Sequence, residues 1–148
     1  YLPLVNKLRL WSDRKKWVEM PLFNAYVFVK PTEIQRDLVL QIPGVVKYIR
    51  YNGKDAEVQQ KDIELIQRLI EKGYQIQQHE MGARLEPGDL AEVLDGPFKG
   101  QEVEVHYAEN ETFFIVSIEG LSSSIKVNLP REVLKLNKKS KERDKALW

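Results

Sequence analysis

The sequence predicts an α+β fold, with strands and two helices mixed in the first half and a small β-barrel after them. Three observations predict it. Two stretches repeat apolar residues at helical spacing, four short runs later in the chain alternate apolar and polar residues between turn signals, and the charge changes sign between the two patterns. Residues 1–84 hold 14 Lys and Arg against 10 Asp and Glu (+4), residues 85–137 hold 4 against 10 (−6), and residues 138–148 hold 5 against 2 (+3).

A length of 148 residues, 43% hydrophobic and 30% charged, is ordinary for one globular domain or two small ones. The absence of cysteine excludes disulfides and thiolate metal sites. No apolar run is long enough to span a bilayer and no signal-peptide pattern opens the chain, so a soluble protein with no membrane partner is expected. The first residue is Tyr1 rather than Met, as expected of a processed or truncated product.

The elements follow in order. "LVNKLRLW" and "KKWVEM" alternate around the polar stretch "SDRK" and predict a hairpin. "PLFNAYVFVK" (21–30) predicts a strand with two apolar faces, Phe23, Ala25, Val27 and Val29 on one and Leu22, Asn24, Tyr26 and Phe28 on the other. Aromatic residues on both faces raise the question of a partner, because exposed aromatic patches mark binding sites. Thr32 with Gln35 fits a capping box that starts a helix carrying Ile34, Leu38 and Ile42, and Pro43-Gly44 stops it. "VVKYIRY" predicts a strand ending at the tight-turn pair Asn52-Gly53. A second helix is expected from about Gln60 to Lys72, with Ile63, Ile66 and Ile70 as its stripe, Leu65 and Leu69 adjoining it, and Gly73 just past its end. Residues 75–85 predict a last edge strand running into a linker over 79–84. "DLAEVL", "QEVEVHY", "TFFIVSI" and "SIKVNL" are spaced as a small barrel requires. Residues 138–148 form a charged tail without an apolar face.

Catalysis has no foothold in this sequence. His79 and His106, the two histidines, lie in different segments and predict solvated surface rather than metal ligands. Ser122, Ser123 and Ser124 lack the strand-turn-helix context of a nucleophile elbow and predict turn residues. "DGPFKG" lacks the Gly-Lys-Ser/Thr ending of a phosphate loop. No enzyme activity, metal or cofactor is expected.

"EPGDLAEVLDGPFKGQEVEV" (86–105) resembles the KOW motif, a small SH3-like β-barrel, with Gly96, Pro97, Phe98 and Gly100 forming its loop and Val103 standing where many such sequences have a third glycine. Gly96 and Gly100 bracket a tight loop in which positive φ is needed. "PLFNAYVFVK", "IPGVVKYIRYNGK" and "KDIELIQRLI", in that order before such a barrel, resemble the N-terminal (NGN) domain of NusG-family transcription factors. The resemblance covers about residues 1–136 and is nearest to the specialised RfaH-like and UpxY-like paralogues, the latter of Bacteroidetes. It implies an antiparallel-sheet NGN domain with flanking helices over 1–78, the linker over 79–84, a KOW domain over 85–137 and the tail. Family members usually open with a strand of the "WYVLY" kind and a basic amphipathic helix. One strand and one helix of the NGN domain are therefore expected to be missing.

The resemblance further implies an antitermination and elongation factor that binds the two large RNA polymerase subunits across the cleft and suppresses pausing. Contact with the polymerase clamp maps to Tyr26, Phe28, Tyr51, Ile63 and Ile66, and contact with the gate loop maps to Gln35, Arg36 and Asp37. Lys7, Arg9, Arg14, Lys15 and Lys16, interleaved with Trp11 and Trp17, suit contact with upstream or non-template DNA. The KOW domain would engage a small-subunit ribosomal protein. Glu119 replaces the aromatic residue that helps NusG bind Rho, so Rho binding is not expected. Some family members turn the corresponding domain into a helical hairpin, but Gly96, Pro97, Gly100 and Gly120 predict a stable barrel here. The rival readings are housekeeping NusG, opposed by Glu119 and by Asn24-Ala25 where Pro-Gly is usual, and a ribosomal or RNA-binding KOW protein, opposed by the acidic barrel. A cytoplasmic location is implied.

Overall fold

Alternation and turn chemistry account for most of the strands. The computed structural model describes residues 1–79, 85, 88–108, 110–118, 120–121 and 123–138. Most of the expected linker, Glu119, Ser122 and all but the first residue of the tail lie outside the described residues, as do Glu86 and Pro87. Strands β1 (Leu4–Leu10) and β2 (Lys15–Pro21) form the predicted hairpin, closed by the Trp11 N–H donating to the Arg14 carbonyl at 2.8 Å. Helix α1 (Glu33–Leu40) starts as expected, with Gln35 Oε1 accepting from the Thr32 N–H at 3.1 Å. Strands β3 (Arg50–Tyr51) and β4 (Lys54–Asp55) flank the Asn52-Gly53 turn, both of whose residues have positive φ, as a primed hairpin turn demands. Helix α2 (Gln60–Glu71) ends in a Schellman arrangement. There the Tyr74 N–H donates to Leu69 O at 2.9 Å and the Gly73 N–H to Ile70 O at 3.0 Å, with Gly73 at φ 74°.

A six-stranded antiparallel sheet follows, in the order β10-β6-β7-β8-β9-β5. Its members are β5 (Ile76–His79), β6 (Asp89–Val93), β7 (Glu102–Ala108), β8 (Glu111–Ile118), β9 (Ser123–Asn128) and β10 (Leu134–Lys138). Strands β6 to β9 run as a meander, and β10 returns through a 3₁₀ turn to pair with β6. The expected edge strand over residues 76–79 forms, and it pairs with β9 of this sheet. Ser123 and Ser124 begin β9 opposite Ile118 and Ser117 and are buried, so they are strand residues rather than the turn residues expected. His79 and His106 are half-buried rather than solvated, the latter tilted against the Phe113 ring at 5.7 Å.

Three expectations for the first half are corrected. Residues 21–30 do not form a strand: Pro21 ends β2, residues 22–25 turn, and 26–30 run on outside any ladder. A strand needs a neighbour to take its backbone hydrogen bonds, and after Leu22, whose N–H donates to Pro3 O at 2.8 Å, the neighbouring segment is met again at Phe28, whose N–H donates to Tyr1 O at 2.9 Å, with no ladder between them. The strand expected over 45–51 shortens to Arg50 and Tyr51 for the same reason. In place of one antiparallel sheet, the first half holds two separate two-stranded ladders, β1-β2 and β3-β4. Helix α1 buries no residue, and Ile34 and Val46 are 85% and 89% exposed.

One apolar core joins the two halves. Leu22, Phe23, Ile66, Leu69 and Ile76 pack with Val93, Phe98, Phe114, Ile118, Ile125, Val127 and Leu129. Apolar burial of this kind is the main favourable term in folding.

Candidate functional site

The residues assigned by sequence to the clamp contact differ sharply in burial. Phe23 turns into the core and meets Phe28 edge to face at 5.9 Å, while Tyr1 stacks on Phe28 at 6.5 Å. Tyr26 and Phe28 are half-buried against the core, Ile63 is half-buried on α2, and Tyr51 on the β3-β4 hairpin is 67% exposed. Ile66 is 0% exposed. It is a core residue in this arrangement, because the buried face of α2 runs through Asp62, Ile66 and Leu69 at i, i+4 and i+7 rather than along the stripe Ile63, Ile66 and Ile70.

The three residues assigned to the gate loop sit in the first half of α1. Gln35 caps the helix, and Asp37 is exposed. Arg36 is held in a small cluster: it donates to Asp55 Oδ2, lies over the Tyr48 ring at 5.0 Å, and its carbonyl accepts from Tyr48 Oη at 3.1 Å. The hydrogen bond to Asp55, and then its charge, hold the guanidinium still more firmly protonated. Arg50 approaches Asp55 at 3.7 Å from the neighbouring strand. This cluster ties α1 to β3-β4 and was not legible from spacing, since Tyr48 and Asp55 lie 12 and 19 residues beyond Arg36.

The basic and aromatic residues of the first hairpin do not form one surface. Arg9 lies opposite Lys16 and Lys7 opposite Val18, which puts the three cations on one face. Leu8 lies opposite Trp17 and Leu10 opposite Lys15, so Trp17, Leu4, Leu8, Leu10 and Lys15 share the other. Trp11 and Arg14 belong to the turn, where Arg14 is 3.9 Å from Asp13.

In the β6-β7 loop, Gly96 and Gly100 have φ of 86° and 80°, and Phe98 turns inward to meet Phe114 edge to face at 4.7 Å. The loop closes through the Gly100 N–H donating to Val93 O at 2.7 Å. A different constraint acts on Gly88, where a Cβ would stand 2.4 Å from Val105 O. On the neighbouring hairpin, Lys126 Nζ donates to Glu111 Oε2 at 2.5 Å and lies over the Phe113 ring at 4.2 Å. That hydrogen bond holds the Glu111 carboxyl below its usual range.

Among the described residues no group of three or more His, Asp or Glu side chains is placed to hold a metal ion. No helix among them is long and apolar enough to cross a membrane. The assigned residues present aromatic side chains at Tyr26, Phe28 and Tyr51, cations on one hairpin face and a glycine-bracketed loop. Residues 1–67 of the 148 match the NusG family model, described as transcription termination factor nusG. No curated protein and no solved structure matches the chain.

Proposed function

We propose that the chain is a transcription elongation and antitermination factor of the specialised RfaH-like or UpxY-like kind, cytoplasmic and without catalytic activity. It acts by binding the polymerase clamp and gate loop at once, which stabilises the closed cleft relative to the open, paused one. The observation that carries this reading is the family match over residues 1–67. Further support comes from the turn at Asn24-Ala25, where Ala25 has φ 63°. Pro-Gly is usual there in housekeeping NusG, so Asn24-Ala25 favours the specialised kind over that rival.

The exposed and half-buried members of the assigned patch, Tyr26, Phe28, Tyr51 and Ile63, are the clamp contacts, with Ile66 supporting them from the core. Asp37 is the gate-loop residue free of local duties, while Gln35 and Arg36 shape the helix that presents it. The strand order of β6 to β10 and the Gly96-to-Gly100 loop support a KOW-type SH3-like barrel, which engages a small-subunit ribosomal protein. Its acidic balance disfavours RNA as the ligand.

Affinity capture tests the reading. Tagged protein should retain purified RNA polymerase and shorten pauses in single-round transcription. Tyr26→Ala with Tyr51→Ala should lose roughly tenfold or more in affinity while circular dichroism stays unchanged. Failure of the native protein to retain polymerase, or retention of ribosomal RNA in its place, would overturn the proposal.

A further inference from the structure

A cleft of about 810 Å³ opens where β7 and β8 part. The two strands pair only at His106–Phe113, Tyr107–Thr112 and Ala108–Glu111. On one side of that point β7 pairs with β6 over Asp89–Val105 to Glu92–Glu102, and on the other β8 pairs with β9 as far as Ile118–Ser123. Among the described residues, 102–105 therefore have a ladder partner on one side only, as have 114–118. Unpaired strand edges are templates for another strand.

Helix α2 forms the remaining wall. Phe98, Val103, Phe114 and Val116 give the cleft an apolar floor, and Lys61 and Arg68 stand on its rim. Asp62 also lines it, at 8% exposure, and its Oδ2 is buried with no hydrogen-bond partner. A carboxylate placed at a core-facing helix position is costly unless a cation or donor reaches it. The first turn of a helix favours an acidic residue but does not supply the missing bond. Two more carboxylates line the same cleft. Glu104 accepts from the Gly88 N–H at 2.8 Å and Glu102 from Asn137 Nδ2 at 3.1 Å. A carboxylate has about four acceptor sites, so both retain capacity.

We propose that this cleft is a docking site for an extended segment of a protein partner bearing an arginine or lysine. The cationic end of that side chain pairs with Asp62, and its backbone adds to the open side of β7 over residues 102–105. Strand addition supplies the affinity and the buried carboxylate the specificity. Three carboxylates against two rim cations select a basic segment and oppose a nucleic acid strand.

The probe is an array of acetylated, amidated heptapeptides, randomised at alternate positions, whose central residue is arginine, lysine, citrulline or glutamate. The full chain should bind the arginine or lysine sets about tenfold better than the citrulline set, which keeps the shape and loses the charge. Amide resonances of residues 102–105 and 114–118 should shift on titration with the best peptide. Asp62→Asn should bring the arginine-to-citrulline ratio close to one. If that variant does not fold by circular dichroism, the ratio and the resonance map on the native chain decide. No binding, no preference at the central position, a preference for glutamate, a ratio unchanged in folded Asp62→Asn, or shifts elsewhere would each overturn the proposal. So would a short single-stranded RNA that shifts the same amides in place of the peptides.

Discussion

Replacing Ile66 by alanine tests how α2 is held. On an exposed docking patch the truncation would leave stability within about 0.5 kcal/mol of the native value. In the structure the side chain is fully buried in the cluster that joins Leu22 and Phe23 to the sheet. Truncation removes three carbon groups, and at about 0.8 kcal/mol for each buried CH₂ the transfer loss is about 2.4 kcal/mol. A cavity bordered by a helix and a sheet collapses only in part, which raises the total to roughly 3–4 kcal/mol. Tyr51→Ala, on the exposed hairpin, should stay within about 0.5 kcal/mol. Urea unfolding followed by far-UV circular dichroism measures both, since Trp11 and Trp17 are exposed and would report poorly on the core. With an m-value of about 2 kcal/mol/M, the Ile66→Ala midpoint should fall by about 1.5–2 M. A midpoint indistinguishable from that of the native chain would refute the packing and return Ile66 to the docking patch.

Ala25→Gly should raise stability by about 0.5–1 kcal/mol in the same assay. A left-handed backbone costs an alanine roughly 1–2 kcal/mol, against roughly 0.5–1 kcal/mol of added chain entropy for glycine. Glu111→Gln should destabilise by at most about 1 kcal/mol, as expected of a partly exposed ion pair. Because the folded-state carboxyl titrates below its unfolded value, this contribution is complete above about pH 4.3 and is lost as the pH falls through the folded-state value. Unfolding of both proteins across that range should therefore converge in acid, and a gap that persists there would contradict the assignment. Neutralising Lys7, Arg9 and Lys16 together should flatten the salt dependence of binding to a transcription bubble by about 2–3 in slope if all three touch phosphate. Neutralising Lys15 should change it by about 1 or less, and equal effects would contradict the division of faces.

Much of the fold was written in local pattern. The strands β6 to β9 show period-two alternation between turns of which the first and last carry glycine, the start of α1 is marked by Thr32 and Gln35, and the end of α2 by Gly73. Residues 21–30 show the limit of such pattern. Their alternation is real, yet a strand is made by a neighbour, and neighbours are set by contacts distant in sequence. Asn24-Ala25 also hides the turn, because a left-handed alanine carries none of the signal that glycine would give. Strand β10 has only Leu134 and Leu136 to mark it, and its partner β6 lies some forty residues earlier.

The candidate site was legible in composition and illegible in direction. Lys7, Arg9, Lys16 and Trp17 are close in sequence and invite one combined surface, but the pairing of Leu8 with Trp17 and of Arg9 with Lys16 sends tryptophan and cations to opposite faces. A flat or gently curved ligand can meet only one of them. Phosphate would be met by the face of Lys7, Arg9 and Lys16. The face of Leu4, Leu8, Leu10 and Trp17 carries Lys15 and Glu19 as its charges and gains more from losing water than from meeting a polyanion. Asp62 follows the same logic in reverse. Its position four residues before Ile66 and seven before Leu69 places a carboxylate on the buried side of α2, a conflict that appears only once the stripe is drawn through the residues that pack. Where local chemistry opposes the fold in this way, the residue marks a functional or strained position, and the basic segment proposed for the cleft would supply the bond that Asp62 Oδ2 lacks.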